Sequence, residues 1–317
     1  MNIEERLDAD HLAVLGMLPE GFLEFSDIGA TRALLGQMAE QAPAVPLPDS
    51  IIVEDHPVTG FDGHELFVRV YRPQLVRESS PAVLWMHAGG MVLGDVAMSD
   101  NWCAEIADQL GVVVGSVEYR LAPEFPFPVP MEDCYSALVW MADHADELNI
   151  DLARLAVAGA SAGGGLATGL ALLTRDRQGP AICFQLLTYP MLDDRNETPS
   201  SHAISDLRVW NRTANLVSWD AYLEGHAGAD DVSIYASPAR AEDLSGLPPA
   251  AITVGDLDMF LDEAITYAQR LLQAGVPTEL HVYAGGFHGT NTFVAHGDLG
   301  QRWIRDELSA LDRALNG

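Results

Sequence analysis

From about residue 50 onward, short runs of β-branched and other apolar residues alternate with longer stretches in which apolar positions recur at helical spacing. The runs that read as strands are 64–71 (HELFVRVY), 82–87 (AVLWMH), 112–118 (VVVGSVE), 154–159 (RLAVAG), 182–188 (ICFQLLT), 250–254 (AAITV) and 279–283 (ELHVY). Between them, Met131, Cys134, Tyr135, Leu138, Val139 and Met141 recur every one to three positions along one face, and the spacing predicts a helix over 131–146. Strands alternating with helices describe a mostly parallel sheet covered on both faces. Two stretches break the pattern: residues 1–48 read as helices ending in the proline-rich APAVPLP, and residues 190–240 carry polar turns with Trp210 and Trp219 but no clear strand. Both are expected to form helical cap segments over an α/β core made of residues 49–189 and 241–317.

Composition narrows the partners. The formal net charge is −29, from 46 acidic and 17 basic residues, and every basic residue is arginine. Such a surface repels phosphate backbones and anionic lipids, which argues against nucleic acid and against stable membrane association. Cys103, Cys134 and Cys183 are widely spaced and odd in number, so they suggest neither a disulfide framework nor a zinc site. The acidic start MNIEERLDADH has no cationic stretch followed by an apolar one, and no run of 18 apolar residues occurs; the chain is read as cytoplasmic.

The chemistry is concentrated in a few loops that follow strands. Gly159-Ala160-Ser161-Ala162-Gly163 fits G-x-S-x-G, in which flanking glycines permit a tight strand-to-helix turn that presents the serine hydroxyl. RLAVAG before it reads as a buried strand and AGGGLATGLALLTR after it as a helix, as that turn requires. A serine nucleophile needs a base, an acid that orients the base, and donors for the oxyanion. The loop holding Asp256 and Asp258 follows the strand AAITV, and the loop holding His288 follows ELHVY, so both leave the same edge of a parallel sheet, where ligands bind in open α/β folds. After AVLWM comes His87-Ala88-Gly89-Gly90, whose Gly89 and Gly90 amides can join that of Ala162 as oxyanion donors. His87 is read as a structural residue holding that loop, and His281 and His296 as packed or surface residues.

Taken in order, HAGG at 87–90, EYRLAPE at 118–124, GASAGGG at 159–165, LDMFLDE at 257–263 and GGFHG at 285–289 resemble the hormone-sensitive-lipase-like (family IV) esterases of the α/β-hydrolase superfamily, over roughly residues 50 to 315. The resemblance implies the α/β-hydrolase fold. It also implies that the acid is the first aspartate of a D-x-x-x-D-E segment, which is Asp258 here, completed by Asp262 and Glu263, and not Asp256. Three positions depart from the family: Ala88 replaces a glycine that is not a donor, Ala160 replaces an acidic residue, and Thr290 stands where an aromatic is common, which bears on the shape of the acyl pocket. Ser161, Asp258 and His288 are thus the expected catalytic residues and Gly89, Gly90 and Ala162 the expected oxyanion hole, in a serine carboxylesterase that forms an acyl-enzyme and requires no metal or organic cofactor.

The expected partner is a small ester, with short to medium acyl chains implied by the resemblance; similar enzymes include monomers and homodimers. Met17, Leu18, Phe22, Phe25, Leu207, Trp210 and Trp219 offer apolar material for either a pocket or the interior of the cap. The same triad also serves acyltransferases and amidases, which leaves those reactions open. A non-catalytic ligand receptor on this fold would lack the histidine, and His288 in an intact GGFHG argues against it.

Overall fold

In the computed structural model the described residues are 3–19, 21–23, 25, 27–41, 45–75 and 79–317, so that residues 42–44 of the proline-rich run lie outside them. Two helices come first, α1 (Ala9–Met17) and α2 (Ile28–Gln41). The chain then alternates as β1 (Ile51–Thr59), β2 (Glu65–Pro73), β3 (Ser80–Met86), α3 (Asp100–Leu110), β4 (Val113–Val117), α4 (Val129–Asp143), α5 (Ala145–Leu148), β5 (Ile150–Ala160), α6 (Ala162–Arg177) and β6 (Phe184–Thr188). After the short helix α7 (Pro199–Ala203) and α8 (Arg212–Tyr222) come β7 (Ala250–Leu257), α9 (Leu261–Gln273), β8 (Thr278–Phe287), α10 (Thr290–Phe293) and α11 (Asp298–Asn316).

The strands form one sheet in the order β1-β2-β4-β3-β5-β6-β7-β8, antiparallel at β1/β2 and β2/β4 and parallel from β4 to β8. The sheet is mostly parallel, as the alternation predicts. Every residue of β3 is buried, because a parallel strand covered on both faces has no solvent side, and its sequence SPAVLWM is accordingly apolar almost throughout. Helix α11 is amphipathic instead: Trp303, Glu307, Leu308, Leu311 and Leu315 lie on its buried face, and one of these is an acid.

The structure differs from the sequence reading in several places. Strand β1 is not among the expected strands, since IIVEDHPVT mixes charges and a proline; it is an edge strand with one partner, and an edge tolerates Pro57 because that position need not donate on both sides. The single helix expected over 131–146 is split, with α4 ending at Asp143 and α5 starting at Ala145. Strands β7 and β8 run to Leu257 and Phe287, three and four residues past their predicted ends.

The N-terminal segment and the stretch around α8 meet each other. The Leu23 N–H donates to Leu207 O (2.8 Å), Asn211 Nδ2 donates to Leu23 O (3.1 Å), and the rings of Phe25 and Trp210 pack edge to face at 5.5 Å. Asn211 also caps α8, accepting the Ala214 N–H at 3.1 Å. Arg32 of α2 clamps that helix to the core by donating to Val92 O, Ala122 O and both carboxylate oxygens of Glu124. Farther along, the buried Asp194 accepts from Arg240 at 2.6 and 2.9 Å and from the Gly228 N–H at 2.7 Å. Burial by itself would raise the Asp194 pKa, but the Arg240 and Gly228 hydrogen bonds hold it below the ordinary value.

Removing one partner leaves a partly buried guanidinium uncompensated, so Asp194→Ala is expected to cost about 3 kcal/mol in denaturant unfolding at neutral pH. A carboxyl whose folded pKa is depressed stabilises the fold above its unfolded pKa and loses that contribution as the pH falls. The gap between wild type and variant should therefore narrow as the pH drops below the ordinary value of 3.8, and a gap independent of pH would refute the assignment.

Candidate active site

The structure brings the three expected side chains together from three separate strand ends. Ser161 sits between β5 and α6 with φ 56° and ψ −118°, a conformation that side chains rarely adopt. The glycines on either side make it possible: a Cβ at Gly163 would overlap the carbonyl oxygen of Met86, and one at Gly159 would overlap that of Gly163. Two backbone bonds brace the turn, from the Ser161 N–H to Thr188 O and from the Met191 N–H to Ser161 O, both at 2.9 Å.

His288 Nε2 lies 3.0 Å from Ser161 Oγ, and His288 Nδ1 lies 2.8 Å from Asp258 Oδ2. An ionised carboxylate can only accept, so the Nδ1 proton belongs in the bond to Asp258 and the Nε2 lone pair faces the hydroxyl. The second oxygen of Asp258 accepts the Phe260 N–H at 2.9 Å. Ser161 and Asp258 are almost wholly buried. Such a line can take a proton from the serine hydroxyl as its oxygen attacks a carbonyl.

The ends of β7 and β8 determine which aspartate faces the histidine. Their register shifts between Gly255 and Leu257, after which Leu257 pairs with Phe287. Asp258 and His288 are the next residues on the two strands. Asp256 lies within this irregularity, where Oδ1 accepts the Gly285 N–H at 2.7 Å and Oδ2 pairs with Arg6.

Gly89 and Gly90 follow β3 with φ of 127° and 63°, and Ala162 opens α6. Among the described residues, no acceptor is bonded to the backbone N–H of Gly89, Gly90 or Ala162. His87 holds this loop from below: it is fully buried, stacks on Tyr119 at 4.1 Å, and has Nδ1 2.8 Å from Ala88 O, while Tyr119 Oη donates to His87 O at 2.8 Å. Burial lowers its pKa to about 4, so it is neutral at physiological pH. His281, in β8, has Nε2 2.6 Å from Glu279 Oε1.

Aromatic rings surround the imidazole. Tyr189 stands edge-on to it at 4.5 Å and Phe260 at 5.2 Å, and Trp210 is tilted against it at 6.2 Å. The Trp210 ring also covers Gly90, where a Cβ would overlap it and would come within 2.7 Å of Ser218 Oγ. Of the apolar residues offered for a pocket, Trp210 reaches the site and Phe25 supports it; Phe22 and Trp219 are buried, and Met17 and Leu207 are exposed. Thr290 is buried and accepts the Phe287 N–H on Oγ1 at 2.9 Å, so it braces the histidine loop where an aromatic would fill space. Tyr189 and Ser218 were not singled out from the sequence. The signal for Tyr189 was its place just after a strand, at the sheet edge that carries the chemistry; Ser218, inside a helix, carried none.

Among the described residues, no helix is long and apolar enough to cross a membrane. A family model described as alpha/beta hydrolase fold matches residues 83–292. The esterase LipI of Mycobacterium tuberculosis is 36% identical over 285 residues, covering 89% of this chain and 87% of that protein. The carboxylesterase NlhH of the same organism is 36% identical over 310 residues (96% and 94%), and an ethyl acetate hydrolase of Pseudomonas putida is 35% identical over 247 residues (76% of each). A solved bacterial heroin esterase superposes with a TM-score of 0.94 at 41% identity, covering 99% of both chains. A motif series in family order, a sheet with the matching topology and relatives along nearly the full length lead to one conclusion: the chain belongs to the alpha/beta hydrolase fold family and is an esterase of its hormone-sensitive-lipase-like group.

Proposed function

We propose that this carboxylic ester hydrolase uses Ser161 as nucleophile, His288 as general base and Asp258 as the acid that orients the histidine, and that it prefers esters of short to medium acyl chains. The observation that carries the reading is the continuous line from Asp258 Oδ2 to His288 Nδ1 and from His288 Nε2 to Ser161 Oγ, at 2.8 and 3.0 Å. As Ser161 Oγ attacks the carbonyl carbon, its proton passes to His288 Nε2 and the carbonyl oxygen gains the negative charge. The amides of Gly89, Gly90 and Ala162 then donate to that oxygen, and their lack of other acceptors is what such a site needs. The tetrahedral species collapses as His288 returns the proton to the departing alcohol. Water, deprotonated by the same histidine, next releases the acid from Ser161.

Residues 1–48 and 190–240 serve, in this reading, as a cap over the core formed by 49–189 and 241–317. Their mutual hydrogen bonds and the Phe25–Trp210 packing against His288 support it. Trp210 over Gly90, with Tyr189 and Phe260 beside the imidazole, leaves little room for a long acyl chain. The relative named ethyl acetate hydrolase agrees with a small acyl group.

Three measurements on the purified protein test this function. Nitrophenyl esters graded by acyl length should give the highest kcat/KM among short chains, with Ser161→Ala inactive yet folded; a Ser161→Ala enzyme of near wild-type turnover, or a preference for long-chain triglyceride emulsions, would overturn the proposal. Asp258→Asn should lower kcat on the order of 10⁴-fold through the wrong imidazole tautomer, whereas Asp256→Asn, which loses the charge paired with the exposed Arg6 but keeps an acceptor for the Gly285 N–H, should cost roughly 1 kcal/mol of stability and leave kcat near wild type. The reverse ranking would reassign the acid. Gly90→Ala puts a methyl group against the Trp210 ring at a residue with positive φ, and should reduce kcat at least about 100-fold with unchanged circular dichroism; full activity would show that the loop has no part in oxyanion binding.

A further inference from the structure

One buried acid near the site takes no part in the mechanism as derived. Glu307 lies on the buried face of α11 with no solvent exposure. Its Oε1 accepts from Thr188 Oγ1 (2.7 Å), Thr253 Oγ1 (2.7 Å) and Trp303 Nε1 (2.9 Å), and its Oε2 accepts from Asn291 Nδ2 (3.4 Å). Among the described residues no arginine or histidine forms an ion pair with it. Burial pushes its carboxyl above the usual range while the four donors pull it back. A carboxyl buried without a cation lowers stability relative to an uncharged group of the same shape, and such a cost is tolerated most readily where the group acts on a reaction.

Its donors lead to the catalytic histidine. Thr188 ends β6, and its carbonyl accepts the Ser161 N–H at 2.9 Å. Thr253 lies in β7, and its carbonyl accepts the Tyr189 N–H at 2.6 Å. The Tyr189 hydroxyl donates to Asn291 Oδ1 at 2.9 Å, so Asn291 bridges Tyr189 and Glu307. The Tyr189 ring, backed by Trp303 at 5.8 Å, is the one that stands edge-on to His288. One carboxylate therefore joins the end of β6, the middle of β7, Asn291 of α10 and Trp303 of its own helix and, through Asn291, the ring against the imidazole.

We propose that Glu307 is a positioning residue for ester hydrolysis: through Asn291 it holds the Tyr189 ring against His288. This rests on the reading of His288 as the base. The charged or titratable groups that face His288 are Asp258 at the end of β7, Ser161 at the elbow and Tyr189 after β6. Around Glu307 stand Tyr189 and, across Trp303, Tyr283, whose hydroxyl donates to Asp306 at 2.9 Å and whose ring lies under Arg302 at 5.3 Å.

The test compares wild type with Glu307→Gln. Glutamine keeps the shape of the side chain but can put an amide N–H where Oε2 accepts from Asn291, which loosens the Tyr189–Asn291 pair. In the pH profile, kcat on the plateau should fall roughly 10-fold with KM little changed. The unfolding midpoint at pH 8 should be equal or higher, because the uncompensated charge is gone, whereas a purely structural role predicts a lower midpoint. Asn291→Ala, at a half-buried position, keeps the carboxylate, breaks the bridge, and should lower kcat several-fold; it serves as the second variant if Glu307→Gln does not fold. Wild-type kcat in folded Glu307→Gln, or in Asn291→Ala, would overturn the proposal. Ser161→Ala assayed beside them separates the two levels: if it is inactive while Glu307→Gln behaves as wild type, only the role of Glu307 fails, and if it is active, the underlying reading of the site fails.

Discussion

The site depends on a close backbone approach between two strands. At the ends of β7 and β8, a Cβ on Gly255 would overlap the carbonyl oxygen of Gly286, so the two chains can lie this near only because neither residue carries a side chain there. The register shifts at this point, Leu257 pairs with Phe287, and Asp258 and His288 leave adjacent strands together. Asp256, two residues earlier, instead ties Gly285 and Arg6.

The serine reaches that pair by a second constraint of the same kind. Gly159 and Gly163 let β5 turn sharply into α6, and the absent Cβ of Gly163 brings the elbow against the carbonyls of Met86 and His87, at the base of the loop that carries Gly89 and Gly90. Backbone contact thus sets the spacing between the hydroxyl and the proposed oxyanion donors. His87 supports the arrangement as a neutral, stacked ring, a role that burial favours because it removes the charge.

Around these two turns the surroundings are apolar and nearly closed. Tyr189, Phe260 and Trp210 border the imidazole, and Trp210 is fixed by its Nε1 bond to Asn215 Oδ1 at 3.1 Å and by Phe25 from the N-terminal segment. A low-dielectric setting strengthens the Asp258–His288 interaction and the pull of any fixed charge nearby. The acid in α11, far along the chain, reaches the histidine in the loop after β8 through Asn291 and Tyr189.

The order of chemistry-bearing loops was legible in the sequence, because each follows an apolar run at the same edge of a parallel sheet and each carries glycines that a tight turn requires. The alternation of the core was legible for the same reason, since strands buried on both faces must be apolar throughout. Strand β1 escaped notice because an edge strand half exposed to water keeps charges and a proline. Contacts between residues distant in sequence were invisible: Trp210 over Gly90, Asn291 between Tyr189 and Glu307, and the two-residue choice between Asp256 and Asp258, which the residues alone left open and only a family resemblance chose. Periodicity and turn chemistry are local and act through neighbours along the chain, so they declare themselves in sequence. Which buried polar groups meet depends on how strands shift in register and how helices pack, and that is decided only when the whole sheet is assembled.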